Sequence, residues 1–389
     1  MNRTVCKVSC VLFLLLSVLL SGCNPQVSDA PPAPSREDSS SALPASQEDA
    51  PVLSVVTTIF PAYDFAREVA GDLPVSLSML LPPGSESHSF EPSPQDLMAI
   101  QDCDLFIYNG GESETWVDTI LSAMDPSDMR CIRMMDLADT VTETLPEGAE
   151  ETPDAETDLP RLSSEAEALT QGSYALKSFA REEEADFASE GSAPEASDAG
   201  PSDPGPSDPA AKEVYDEHVW TAPLNAEKIV RGIGEAFAQA DPVHADAYEA
   251  NTEAYCLALT QLDLRFRQIT DHPKRRTMVF GDRFPFRYFA DAYDLSYYAA
   301  FPGCSTNSDP SAATLAFLID KVQTEKIPVV FYMEFSNQRV ADRIVEAGSA
   351  KKSLFHSCHT VSAEDMASGV SYLSLMEGNA QRLEEALNL

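Results

Sequence analysis

Val243 to Thr270 contains no glycine or proline and carries Tyr248, Tyr255, Leu259, Leu262 and Phe266 at helical spacing. At 1.5 Å per residue, a helix over this stretch reaches roughly 40 Å, the width of a domain. Such an element does not fit inside one small core. It fits as a stiff spine between two lobes, and a chain of 389 residues is long enough to supply both.

Strand and helix signals alternate on each side of the spine. Before it, the strands are Val52–Thr57, Val75–Leu81, Asp104–Tyr108 and Met129–Met135, with helices at Pro61–Val69, Gln95–Ile100 and Glu114–Ala123 between them. A helix over Ala226–Ala240, with Asn225 as its cap, leads to Asp241-Pro242 and the spine. After the spine come strands at Thr277–Phe280, Ser296–Phe301 and Val329–Met333, and Leu354-Phe355 leads into a last histidine-rich turn. Helices are expected at Phe284–Ala292, Ser311–Thr324, Gln338–Ala347 and Glu364–Leu387. Short strands with helical crossovers imply parallel sheets covered by helices. The expected fold is therefore α/β, with two lobes of about four parallel strands each, joined by one long rigid helix.

The ends and one interior segment read differently. Arg3 and Lys7 precede an apolar run, Val11 to Leu20, that is too short to span a bilayer, and Leu20-Ser21-Gly22-Cys23 follows. Residues 1–22 read as a bacterial lipoprotein signal, with Cys23 lipidated, and 23–50 as a Pro-, Ser- and acid-rich tether. The pattern breaks again at about 139–213, an acidic insertion whose surroundings hold roughly half of the formal net charge of −37. That charge excludes nucleic acid, whose phosphates need Lys and Arg. The expected boundaries are 51–242 for the N-terminal lobe with its insertion, 243–271 for the linking helix and 276–389 for the C-terminal lobe. Among the cysteines, Cys304 and Cys358 both follow apolar runs and are paired here as an expected disulfide.

Six histidines are present. His244 and His272 belong to the spine and its end. His88, His218, His356 and His359 stand in loops near expected strand ends, where ligands of open α/β sheets bind. His88 lies between the strand ending at Leu81 and a helix start marked by Ser93, Pro94 and Asp96. Imidazoles gathered at strand ends suit a metal ion, and zinc in particular.

Five segments carry a resemblance. They are His-Ser-Phe-Glu-Pro-Ser-Pro-Gln-Asp at 88–96, Asp-Glu-His-Val-Trp-Thr-Ala-Pro at 216–223, Phe-Arg-Tyr-Phe-Ala-Asp-Ala-Tyr at 286–293, Asp309-Pro310-Ser311, and Val-Ser-Tyr-Leu-Ser-Leu-Met at 370–376. In this order, behind a lipobox, the chain resembles the zinc- and manganese-binding lipoproteins of bacterial ABC importers, over about Val52 to Leu387 apart from the insertion. The resemblance implies two α/β lobes, a rigid linking helix and a metal held in the cleft. Its first two ligands carry over to His88 and His218. The third position, His or Glu in the family, falls at Arg283, which cannot bind a cation. The fourth falls closest to His359, with His356 one turn away. The implied set is His88, His218 and His359, completed by water, Asp282 or His356, with Glu334 behind it orienting an imidazole N–H. Three nitrogens favour Zn(II), while Mn(II) prefers more oxygen.

The expected function is capture of Zn(II) by a membrane-anchored, extracytoplasmic, monomeric lipoprotein that hands the ion to an ABC permease, without catalysis. Arg283 keeps open an importer-like surface adhesin, or a binder of another ligand with a degenerate metal site. A zinc hydrolase is the more distant alternative, and the chain has no His-Glu-x-x-His.

Overall fold

A computed structural model describes residues 53–85, 90–124, 129–148, 214–303 and 309–389. The export signal, Cys23, the 23–50 tether, His88, Cys304 and residues 149–213 of the acidic insertion lie outside the described residues.

The first half runs β1 (Leu53–Thr57), α1 (Phe60–Ala70), β2 (Val75–Met79), α2 (Pro94–Gln101), β3 (Leu105–Tyr108), α3 (Thr115–Ala123) and β4 (Arg130–Arg133). All pairings are parallel and the strand order is β2-β1-β3-β4. β3 is buried at every position, as a strand covered on both faces must be, and its sequence is Leu-Phe-Ile-Tyr. β2 alternates half-buried and exposed residues, in keeping with its place at the edge. Ser93 and Asp96 exchange hydrogen bonds at the start of α2, with Pro94 in its first turn, so the expected cap forms.

Then follow α4 (Pro223–Ala240) and α5 (Ala245–Asp271), the spine. The second half runs β5 (Thr277–Phe284), α6 (Arg287–Ala292), β6 (Ser296–Pro302), α7 (Ala312–Thr324), β7 (Val329–Tyr332), α8 (Arg339–Glu346), β8 (Lys351–Leu354), α9 (Ala363–Ser368) and α10 (Tyr372–Asn388). Its strand order, β6-β5-β7-β8, repeats the first sheet's topology. In both sheets the winding reverses beside the first strand, which opens a crevice at the carboxyl ends.

Four elements differ from expectation. α4 starts at Pro223, so Asn225 is not its cap; the Asn225 amide instead donates to the Asp139 carbonyl at 3.3 Å. β5 continues to Phe284 through a register shift between Phe280 and Arg283, because Pro285 holds the preceding residue extended and delays α6. β8 begins at Lys351, a charged edge strand without an apolar signature. The last helix is split. Gly369 takes a left-handed conformation at φ 76°, and Ser371 starts α10 in a capping box with Ser374.

The two sheets share one core cluster, and each also has a smaller cluster of its own on its other face. Pro51–Leu389 is a single compact unit, and one buried cluster runs from Val55 and Leu105 through α4 and α5 to Phe280, Phe289 and Phe355. The roots of the insertion also cross between the halves. While Thr142 joins the two roots by its bridge to Tyr215, the Val141 N–H donates to the Tyr288 hydroxyl at 3.3 Å, and Arg287 Nη1 donates to Thr144 Oγ1 at 2.9 Å.

Candidate metal centre

His218 follows Asp216 and Glu217, and the two acids have different tasks. Asp216 Oδ1 accepts the His218 backbone N–H at 2.8 Å and stands 3.0 Å from its ring Nδ1. A carboxylate only accepts, so Nδ1 carries the proton and Nε2 keeps a lone pair for a metal. The Asp216 peptide is itself fixed: its N–H donates to the Val141 carbonyl at 2.9 Å, and its carbonyl accepts the Tyr288 hydroxyl at 2.6 Å. Glu217 accepts the Ser113 N–H at 3.0 Å and the Ser113 hydroxyl, in a turn opened by Gly111 at φ 95°. A Cβ on Gly111 would stand 2.5 Å from Glu217 Oε2, so only glycine admits this carboxylate. Burial of His218 opposes a charge on its ring, but the Asp216, Glu217 and Glu143 carboxylates outweigh that and hold its pKa above the ordinary imidazole value.

The second imidazole comes from the turn after β8. Glu334, just past β7, accepts the Ser357 N–H at 2.8 Å and the Ser357 hydroxyl. Ser357 Oγ in turn accepts the His359 N–H at 3.2 Å, and the Ser357 carbonyl accepts the Trp220 indole N–H at 2.8 Å. Cys358 turns the chain at φ 61°. His359 then faces His218 with ring centroids 5.7 Å apart at 84°. Trp220 is fully buried and meets both rings edge-on, at 5.5 and 5.0 Å.

Between these imidazoles lies a cavity of about 260 Å³. It is lined by Gly84 and Ser85 after β2, His218, Arg283 in β5, Gly303 after β6, Met333, Glu334 and Phe335 after β7, and Ser357, His359 and Thr360 after β8. Apart from His218, which precedes α4, these positions lie at or near strand carboxyl ends, at the crevice the topology creates. Gly303 leaves room for the ring of His218; a Cβ there would lie 3.3 Å from His218 Cε1.

The cavity thus brings together His218, His359, Arg283 and Glu334. It does not include His356 or Asp282. His356 Nδ1 accepts the Cys358 N–H at 2.9 Å, and Asn379 of α10 brackets the His356 peptide with two bonds of 2.8 Å. Its Nδ1 and its peptide are thus engaged within the buried turn. Asp282 gives one oxygen to the Arg283 N–H at 2.9 Å and the other to the Met333 N–H at 3.1 Å, closing the gap that the register shift leaves between β5 and β7. Glu334 does not take an imidazole N–H, because the nearby His356 Nδ1, at 3.7 Å, is itself an acceptor; the carboxylate clamps the His359 turn instead. Cys358 is a buried free thiol, so the expected bridge to Cys304 is not made. Among the described residues no three His, Cys, Asp or Glu side chains form a metal site by themselves. His88 lies outside them; the described chain stops at Ser85 in the cavity wall and resumes at Phe90, which packs on Trp116 with ring centroids 5.8 Å apart. Sequence reasoning missed Asp216 as the group that orients His218. Its signal was the spacing, a carboxylate two residues ahead of a histidine and able to reach both of its N–H groups.

Compared with known families, residues 55–386 match the model of ZnuA, the periplasmic zinc-uptake complex component A. The chain belongs to this family. Among curated members, the zinc-binding lipoprotein AdcA of Streptococcus pneumoniae (strain ATCC BAA-255 / R6) is 28% identical over 333 residues, covering 86% of this chain and 55% of that one. This chain therefore spans about half the length of that relative. The high-affinity zinc uptake system protein ZnuA of Bacillus subtilis (strain 168) is 26% identical over 335 residues, covering 86% and 88%. In fold, the Zn(II)-bound ZnuA-like domain of Streptococcus pneumoniae AdcA superposes with a TM-score of 0.61 at 24% identity, over 87% of this chain and all of that domain. The two-sheet α/β architecture is that of the ZnuA family.

Proposed function

We propose that this protein is the extracytoplasmic zinc-capturing component of an ABC importer, a binding protein and not an enzyme. The observation that carries the reading is the pair His218 and His359, facing each other across a crevice at the strand carboxyl ends, with the His218 Nε2 lone pair left available by Asp216. His88 supplies the third nitrogen. It stands three residues beyond cavity-lining Ser85, within about 10 Å of extended chain. The family match and the printed names of the relatives support Zn(II) as the cargo, with Mn(II) as the competitor. Cys23 carries the lipid that anchors a monomer at the membrane. Among the described residues no helix is long and apolar enough to cross a bilayer, so an anchor of this kind is what the reading requires.

Capture works through few moving parts. His218 is locked by Asp216, and His359 by the Glu334–Ser357 clamp, so two ligands are preorganised. The stiff α5 and the continuous core confine any change on binding to loops at the crevice. The loaded protein then docks on the permease.

Native mass spectrometry with zinc and manganese in competition tests the reading. One retained zinc is expected in the wild type, and its loss in His218→Ala and His359→Ala. Retention by both variants, or a preference for manganese, would overturn the site or the metal.

A further inference from the structure

Glu114 stands just before α3, 6% exposed and outside the cavity. Its Oε2 accepts the Gly110 N–H at 2.7 Å. Its Oε1 is buried with no hydrogen-bond partner among the described residues. Two oxygens on the segments that face it are in the same state: Thr58 Oγ1, just past β1, and Asn109 Oδ1, just past β3. The Thr58 N–H donates to the Ile107 carbonyl at 3.1 Å, so the ends of β1 and β3 meet here. Thr58 brings one hydroxyl hydrogen to three buried oxygens, and an ionised carboxylate, which only accepts, adds none.

The charges nearby point the same way. Glu217 is the neighbouring buried acid, and it already accepts the Ser113 N–H at 3.0 Å and the Ser113 hydroxyl. Arg133, at the end of β4, crowds Gly110 but is tied to Asp136 at 3.2 Å. Glu112 and Asp118, on the same turn and helix as Glu114, add only negative charge. Burial, with the Glu217 charge behind it, outweighs the Thr58 hydroxyl and the Gly110 and Asn109 peptides and pushes the Glu114 carboxyl up to about 7. The turn it belongs to grips Glu217 twice, since Asn109 Nδ2 also donates to the Glu217 carbonyl at 2.8 Å. His218 follows directly.

We infer that Glu114 is a neutral acid in the folded protein, donating from Oε1 to Thr58 Oγ1 while Oε2 accepts from Gly110, and that this proton sets the turn that positions Glu217. Glu114 is a positioning residue and touches no ion. Its role uses only described residues and holds whichever side chains ligate the cargo.

Denaturant unfolding of the full chain without metal, wild type against Glu114→Gln, tests this from about pH 5 to about pH 8. Glutamine has the shape of the neutral acid, with an N–H for Thr58 and an oxygen for Gly110, and it does not ionise. A raised carboxyl pKa stabilises the fold below the unfolded value, and that contribution is lost as pH rises through the folded one. The ratio of the variant's folding constant to the wild type's should therefore rise at least about tenfold over this range and level off above about pH 7. Asp64, a buried acid raised to about 6, is common to both chains and cancels. Infrared difference spectra at about pH 6 should show a carboxylic-acid carbonyl band in the wild type that the variant lacks. Glu114→Ala offers no donor and should weaken zinc binding severalfold, and Glu114→Gln should restore it. Parallel stability profiles, or no acid band, would overturn the neutral acid. Equal zinc affinities in the Ala and Gln variants would overturn its positioning of Glu217. Absence of zinc binding in every chain, the wild type included, would instead overturn the zinc reading, while the stability and infrared results still decide the state of Glu114.

Discussion

At the scale of single residues, the site depends on which atoms are already taken. His218 and His356 are both buried, each with a short local partner to Nδ1, but the partners have opposite character. Asp216 accepts from the Nδ1 of His218, and the Cys358 N–H donates to the Nδ1 of His356. In the proposed site the first imidazole keeps Nε2 for a metal, and the second uses Nδ1 to hold its own turn. On the proposed zinc reading, Asp216 also links binding to pH. Burial opposes a charge on His218, yet the surrounding carboxylates hold its pKa above the ordinary value, so protons compete with zinc at a higher pH than for free imidazole. Affinity should be full above that raised value and fall as pH drops through it. In Asp216→Asn the midpoint should move to lower pH, because the main charge favouring the imidazolium is gone. Affinity at the alkaline end should meanwhile drop about 10–100-fold, as expected when the partner that orients a ligating histidine is lost. Competition with a fluorescent zinc chelator from about pH 5 to about pH 8 reads both effects. An unmoved midpoint would show that Asp216 does not set the charge state of His218.

At the scale of elements, α5 is the member shared by both halves. Its Tyr255 ring lies 6.2 Å from Phe65 of α1, and its Phe266 ring lies 4.8 Å from Phe289 of α6. The helix is therefore an internal wall as well as a spine, with Leu259 and Leu262 buried between these contacts. Phe266→Ala should cost about 3–5 kcal/mol, the range for deleting a buried ring. The loss should appear as one cooperative transition, since the core is continuous across the sheets. Tryptophan fluorescence and far-UV circular dichroism should give the same midpoint in denaturant. Separate midpoints would mean that the two sheets unfold independently and that α5 belongs to only one of them.

For the whole molecule, the question is what the acidic insertion contributes. Its roots are part of the structure around the site: the Val141 carbonyl takes the Asp216 N–H at 2.9 Å, Val141 and Thr144 reach Tyr288 and Arg287, and Glu147 approaches Lys321 at 3.8 Å. These ties all lie in residues 139–148 and 214–216, and the antiparallel bridge Thr142–Tyr215 already brings the two roots together. Replacing residues 150–213 by a short Gly/Ser linker should therefore leave zinc affinity within about threefold and the melting temperature within a few degrees, as loop-closure entropy changes slowly with length. Calorimetry and thermal melts of the shortened chain check this. A larger loss of affinity with an unchanged melting temperature would assign the acidic segment a part in gathering the cation.

Much of this architecture was legible in the chain because its signals are local. Apolar runs such as Leu105–Tyr108, the Ser93–Asp96 cap and the uninterrupted pattern of α5 each act over a few residues or turns, and His218 and His359, singled out through the family resemblance, both line the cavity. The misreadings arise where a side chain's direction is decided by distant partners. Asn379, in the last helix, holds the peptide of His356 and leaves His359 to face the cavity. Met333, just past a neighbouring strand, claims the Asp282 carboxylate and leaves Arg283 at the crevice. The sequence by itself determined the elements, their order and the residue types available to a cation. Only the tertiary structure decided which of those residues meet, because buried polar groups are strongly driven to find partners and the partners here come from other elements.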